Sequence, residues 1–243
     1  FCLMSKKAKK IVGVIGGMGP AATIDFMSKV MAQVDSAKDQ DHLHMIVDQD
    51  PTVPNRQVAL ATGLDDVTPR ITAMAKRLEE SGAAFLVMVC NTAHAFLKGV
   101  DAEINIPLIN IIEESVGEID RLYPITSAVG VMATDGCLSS GLYQEAIKAS
   151  GRKAIIPDDN NLDELMRLIH SIKAGKENGD ISNAMAAVAQ SLVARGAEVI
   201  IAGCTEIPIV FDGHSFDVPV ISSTDVLVDR TLALAMGTEP LQG

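Results

Sequence analysis

The chain has 243 residues, 20 Lys and Arg against 31 Asp and Glu for a formal charge of −11, and a 48% hydrophobic share. That share is too high for a disordered chain, and no run approaches the roughly 18 apolar residues of a membrane span. The basic residues are scattered, apart from Lys6, Lys7, Lys9 and Lys10 near the N-terminus, so neither nucleic acid nor membrane is expected as a partner.

Four cysteines, Cys2, Cys90, Cys137 and Cys204, are too few and too widely spaced for a disulfide scaffold. They point to a reducing, cytoplasmic setting. Lysines followed by Ile11, Val12, Val14 and Ile15 look like the start of a leader, but glycines break the apolar run and the same pattern recurs in mid-chain. A strand is expected there instead. Residues 1–3 precede the first methionine and are expected to be an added scar, so Cys2 carries no weight.

In chain order, a strand over 12–15 is followed by a glycine turn and a helix over 20–31 with Pro20 in its first turn. A second helix, 69–80, has Ile71, Met74, Ala75 and Leu78 at helical spacing and a stop at Gly82. Apolar strands are expected over 83–90 and 106–109. The pattern then returns: strand 129–132, helices 161–172 and 181–194, and strands near 197–203 and 218–221.

That return is a repeat. Val12-Gly13-Val14-Ile15 matches Val129-Gly130-Val131-Met132 at an offset of 117, the block from Gly82 to Thr92 matches that from Gly196 to Glu206 at 114, and Ile106-Pro107-Leu108-Ile109 matches Val218-Pro219-Val220-Ile221 at 112. Short β-branched runs bounded by Gly or Pro and separated by helical stretches indicate buried parallel sheets. The expected fold is α/β: two pseudo-symmetric domains, each a mainly parallel sheet flanked by helices, with an active-site cleft between them. Residues 1–113 are expected to form the first domain, with 218–243 returning to it, and 114–217 the second.

Cys90 and Cys204 fall at equivalent places in the repeat, each just after a strand. Ligands bind at the carboxyl ends of strands in open α/β sheets, and a following helix start is expected to lower a thiol pKa. A free cysteine is commonly just a small buried apolar residue. Two at equivalent places facing one cleft fit inversion of a carbon centre, in which one thiolate removes a proton and the opposing thiol delivers another.

Five motifs carry a resemblance: Gly-Gly-Met-Gly-Pro (16–20), Pro-Thr-Val-Pro-Asn-Arg (51–56), Cys-Asn-Thr-Ala-His (90–94), Lys-Ala-Gly (173–175) and Gly-Cys-Thr-Glu-Ile-Pro (203–208). Over about residues 11–225 the sequence resembles the PLP-independent aspartate/glutamate racemase superfamily, and within it the aspartate racemase branch. Glu206 after Cys-Thr is similar to the aspartate branch, where glutamate racemases usually carry His. The resemblance implies a cofactor-independent racemase interconverting L- and D-aspartate, acting as a homodimer on a dicarboxylic amino acid.

It also implies roles. Cys90 and Cys204 match the acid/base pair. Asn91, Thr92 and Thr205 match holders of the α-carboxylate, Met18 and Gly19 the substrate-facing first loop, and Arg56 and Lys173 the cations that engage the distal carboxylate. Glu206 and His94 are candidates for tuning the thiols. Asn55-Arg56-Gln57 replaces the commoner Asp-Arg-Thr, and His170 stands where Tyr is frequent, which bears on distal-group selectivity. A broader acidic amino-acid racemase, a related isomerase, and a non-catalytic small-ligand or dinucleotide-binding protein are the alternatives. The dinucleotide reading rests on Gly17-Met18-Gly19-Pro20-Ala21-Ala22, which lacks a well-placed acidic residue downstream. No cysteine and histidine spacing suggests a metal site, so none is expected.

Overall fold

The computed structural model describes residues 9–35, 37–176, 178–211 and 216–241; Cys2, Lys6, Lys7 and His214 lie outside the described residues. The first half runs β1 (Val12–Gly16), α1 (Pro20–Gln33), β2 (Met45–Gln49), α2 (Arg56–Thr62), α3 (Val67–Glu80), β3 (Phe85–Met88), α4 (Leu97–Asp101), β4 (Leu108–Ile109) and α5 (Ile111–Leu122). The second runs β5 (Ala128–Met132), α6 (Asp135–Ser139), α7 (Leu142–Ala149), β6 (Lys153–Ile155), α8 (Asp159–Lys173), α9 (Gly179–Ala194), β7 (Val199–Ala202), α10 (Ile207–Val210), β8 (Val220–Ser222) and α11 (Ser223–Met236).

The strands form two sheets, in the orders β2-β1-β3-β4 and β6-β5-β7-β8, with every pairing parallel. The two orders are the same once each half is numbered from its own start, so the sequence repeat is a repeat of structure. Strands β1, β3, β5 and β7 are buried along their whole length, as expected of the central strands of parallel sheets.

Successive strand residues point to opposite faces and divide the core into three. Ile15, Leu86 and Met88 pack outward against Ile71, Met74 and Leu78 of α3. Met132 and Ile200 pack outward against Leu165, Leu168, Met185 and Leu192 of α8 and α9. The other faces meet in one shared core, where Val12, Val14 and Val87 join Val129, Val131 and Ile201.

The last helix of each half crosses to the other half. Helix α5 packs on α7, α11 packs on α1, and α5 and α11 pack on each other. Lys29 reaches Asp225 at 2.8 Å across the second of these contacts. The expected return of 218–243 to the first domain needs correction for its strand. Residues of β8 pair with β7 in the second sheet, as β4 pairs with β3 in the first, because each β-branched edge strand completes its own sheet. The helix that follows packs on α1.

One packing node shows how closely the halves correspond. A Cβ added at Gly13 would lie 2.5 Å from Leu86 Cδ2, 3.0 Å from Ala83 Cβ and 3.2 Å from Leu78 Cβ. At Gly130 it would lie 3.0 Å from Ala197 Cβ and 3.3 Å from both Leu192 Cβ and Ile200 Cγ1. Each strand therefore needs glycine where its helix and the next strand close over it. Gly13→Ala and Gly130→Ala should each cost about 1–3 kcal/mol by overpacking, read as a lower urea midpoint at unchanged slope. Parental midpoints would contradict this packing.

Candidate active site

Cys90 and Cys204 each sit two residues beyond the end of a central strand, β3 and β7, and are 6% and 5% exposed. Both line one cavity of about 120 Å³ at the carboxyl ends of the two sheets. The first half adds Met18 from the loop after β1, Arg56 from the start of α2, and Asn91 and Thr92. From the second half come Thr134 after β5, Lys173 at the end of α8, and Thr205 and Glu206. The volume lies well below the roughly 300–1,000 Å³ of pockets for drug-sized ligands, which suits a small metabolite and not a dinucleotide.

The charged groups are unequally committed. Glu206 is 2% exposed, with Oε1 3.0 Å from Lys173 Nζ. Its Oε2 accepts hydrogen bonds from the Cys204 thiol at 3.0 Å and from the Thr205 hydroxyl at 3.3 Å. Burial draws the Lys173 pKa down, but Glu206 and the two thiols outweigh it and the ammonium is held above its ordinary value. Arg56 has no such partner. Its Nη1 donates to the carbonyls of Val53 and Pro54 at 3.2 and 2.9 Å, its Nη2 reaches the Met18 carbonyl at 3.4 Å, and its Nε is buried without an acceptor. Among the described residues no carboxylate pairs with it.

Burial, and then the Glu206 carboxylate, push the Cys204 thiol well above its ordinary pKa, against the opposing pull of Lys173. This reverses the expectation that a helix start would lower it. The helix in question, α10, has four residues and so a weak dipole, and its N-cap residue Glu206 sets a carboxylate against the sulfur. At rest Cys204 is a thiol donating to a carboxylate.

Two residues singled out from the sequence do not line the cavity. Gly19 lies beneath Glu206, where an added Cβ would come 3.3 Å from Oε1. His94 is buried with both ring nitrogens on backbone: Nε2 accepts from the Ile111 N–H at 3.3 Å, so Nδ1 carries the proton and donates to the Cys90 carbonyl at 2.9 Å. Burial lowers its pKa, and the ring is neutral. It anchors the backbone of Cys90 and leaves the thiol alone. Cys137 is also outside the cavity, and burial followed by the charge of Cys90 pushes its thiol up to about 12.

A model of the Asp/Glu/Hydantoin racemase family matches residues 15–231. The chain belongs to this family. It is similar to the broad specificity amino-acid racemase RacX of Bacillus subtilis (strain 168), with 28% identity over 92% of this chain and 97% of RacX. Among solved structures it is similar to Picrophilus torridus aspartate racemase, with a TM-score of 0.80 and 28% identity over 94% of both chains. The glutamate racemase of Francisella tularensis subsp. tularensis SCHU S4, in complex with D-glutamate, shares the fold, with a TM-score of 0.68 and 17% identity over 95% of this chain and 82% of that one.

In this racemase two cavity residues join the halves, Thr134, which none of the five motifs contains, and Gln57, expected only as a departure beside Arg56. The Thr134 hydroxyl lies 2.8 Å from that of Thr92, and it also caps α6 by accepting from the Cys137 N–H. Gln57 Oε1 accepts from the Gly136 N–H at 2.8 Å. Carrying the first repeat offset past β5 would have found the Thr134 loop, which is the counterpart of the Met18 loop. Nothing in the local sequence announces the Gln57 contact. Glu206→Gln removes a charge that raises the Cys204 pKa and frees Lys173 to lower it. Alkylation of Cys204 by iodoacetamide at pH 8 should then rise several-fold, as read by peptide mass. An unchanged rate would show that Glu206 does not control this thiol.

Proposed function

We propose that this racemase interconverts L- and D-aspartate without a cofactor, with Cys90 and Cys204 as the two proton-transfer groups. The observation that carries the reading is two thiols from equivalent positions of a duplicated fold lining one small cavity beside an uncommitted arginine. In one direction the Cys90 thiolate takes the α-proton from one face, leaving a carbanion whose charge spreads into the α-carboxylate. The Cys204 thiol then gives its proton to the opposite face and becomes the thiolate. The reverse reaction starts from that second protonation state, so proton and charge balance in both directions. The Asn91 amide is the donor next to Cys90, suited to hold the α-carboxylate, the Thr205 hydroxyl joins it by turning its single proton away from Glu206, and the Arg56 guanidinium is suited to the distal carboxylate.

A broader scope is the second reading. Glu206 takes up the charge of Lys173, which leaves Arg56 as the single cavity cation free of a carboxylate among the described residues. A site with one free cation discriminates less sharply for a second carboxylate than a site with two, and RacX is a broad specificity enzyme. Racemisation of aspartate, glutamate and neutral amino acids by the parent and by Arg56→Met separates the two. The aspartate reading expects aspartate to be preferred and Arg56→Met to lower its kcat/KM about 100-fold, with any neutral substrate little affected. Equal turnover of neutral amino acids, or no effect of Arg56→Met, would exclude it.

A further inference from the structure

Tyr143, on α7, is the largest fully buried side chain of the described residues and does not line the cavity. It nevertheless touches both cysteine loops. Its hydroxyl donates to Asn91 Oδ1 at 2.6 Å, one residue from Cys90. Its ring covers the residue before Cys204, since a Cβ added at Gly203 would lie 2.6 Å from Tyr143 Cε2 and 3.1 Å from Cζ.

The hydrogen bonds around Asn91 have only one consistent direction. Ser223 has a single hydroxyl proton, and it goes to the Ala202 carbonyl at 2.9 Å, which can only accept. Ser223 Oγ must therefore accept from Asn91 Nδ2, 3.1 Å away. That turns Oδ1 toward Tyr143 and makes the phenol the donor. One Nδ2 proton of Asn91 is thus spent on Ser223, and the other remains on a residue that lines the cavity. The chain of contacts closes on itself, from the end of β7 through Ser223 and Asn91 to Tyr143 and back to Gly203. It joins α7 and α11 to both thiol loops.

We propose that Tyr143 is a positioning residue for the racemase reaction: it fixes the Asn91 amide so that one N–H is presented to the substrate carboxylate, and it clamps the Cys90 and Cys204 loops together. This rests on the two-thiol reading above. Asn91 and Cys204 could not keep these relative positions if the phenol turned away, because the same ring makes both contacts. The glycine before Cys204 has its explanation here, as the residue small enough to lie under an aromatic ring.

Tyr143→Phe keeps the ring on Gly203 and removes only the donor to Asn91. Loss of one buried hydrogen bond should lower kcat/KM for aspartate about tenfold, mostly through KM, because the affected contact holds the substrate carboxylate. If Tyr143 acts through Asn91, Asn91→Ala with Tyr143→Phe should be no worse than Asn91→Ala alone. Multiplying effects, or parental kinetics for Tyr143→Phe, would overturn the role. A parent that racemises no amino acid defeats the functional reading separately, and the clamp is then tested on the thiols alone. Tyr143→Phe should speed iodoacetamide labelling of Cys90, with no further gain when added to Asn91→Ala, and leave Cys204, whose loop stays under the ring, at the parental rate. Ile119→Val, a core change on α5 that removes none of these hydrogen bonds, should leave both rates alone. A Cys90 labelling rate equal to the parent's in Tyr143→Phe would remove the clamp.

Discussion

The two thiols share a cavity because the two sheets share a core. Alternate side chains of β1, β3, β5 and β7 point into one apolar cluster, so the sheets are held by their inner faces and cannot drift apart without exposing it. At roughly 25 cal/mol for each Å² of apolar surface, such a cluster outweighs any single polar contact across the cleft. The crossing of α5 and α11 strengthens the same junction, since each half lends its last helix to the other. With the sheets fixed, the loops after β3 and β7 are fixed as well, and equivalent positions in the repeat become opposing positions around a small cavity.

The repeat is symmetric in backbone and broken in chemistry. By the offset that pairs Cys90 with Cys204, Glu206 corresponds to Thr92. Glu206 accepts from the Cys204 thiol and holds Lys173, whereas Thr92 hydrogen-bonds to Thr134. One thiol therefore rests against a buried carboxylate and the other beside a neutral hydroxyl pair. A buried carboxylate is tolerable here because a lysine and two donors satisfy it; without them its desolvation would go uncompensated. The same pairing cancels local charge, so in a chain of net charge −11 the cavity owes its attraction for an anion chiefly to Arg56.

Much of this was legible in the sequence, for physical reasons that can be named. Parallel strands buried on both faces read as uninterrupted β-branched runs, so Val12, Val14, Val129 and Val131 announced themselves, and duplication placed Cys90 and Cys204 as equivalents. The helix expected over 69–80 begins a little earlier, at Val67, because a proline is tolerated in the first turn and so does not mark the boundary. What stayed hidden depends on contacts between residues far apart in the chain. The Lys173–Glu206 ion pair, the Gln57–Gly136 hydrogen bond and the Tyr143–Asn91 contact have no local pattern. The pKa of Cys204 departs from the sequence expectation because the backbone suggests a helix dipole, whereas burial and then a side chain turned back onto the sulfur set the shift.

The central claim is that each thiol works on one face of the same carbon. Its most direct test is α-hydrogen exchange of L- and D-aspartate in deuterated water, followed by mass and by chiral separation, for the parent, Cys90→Ala and Cys204→Ala. The account predicts that both single variants lose interconversion, that one of them still exchanges only the L enantiomer, and that the other still exchanges only the D enantiomer. Interconversion at the parental rate in either variant, or exchange of both enantiomers by each, would contradict it.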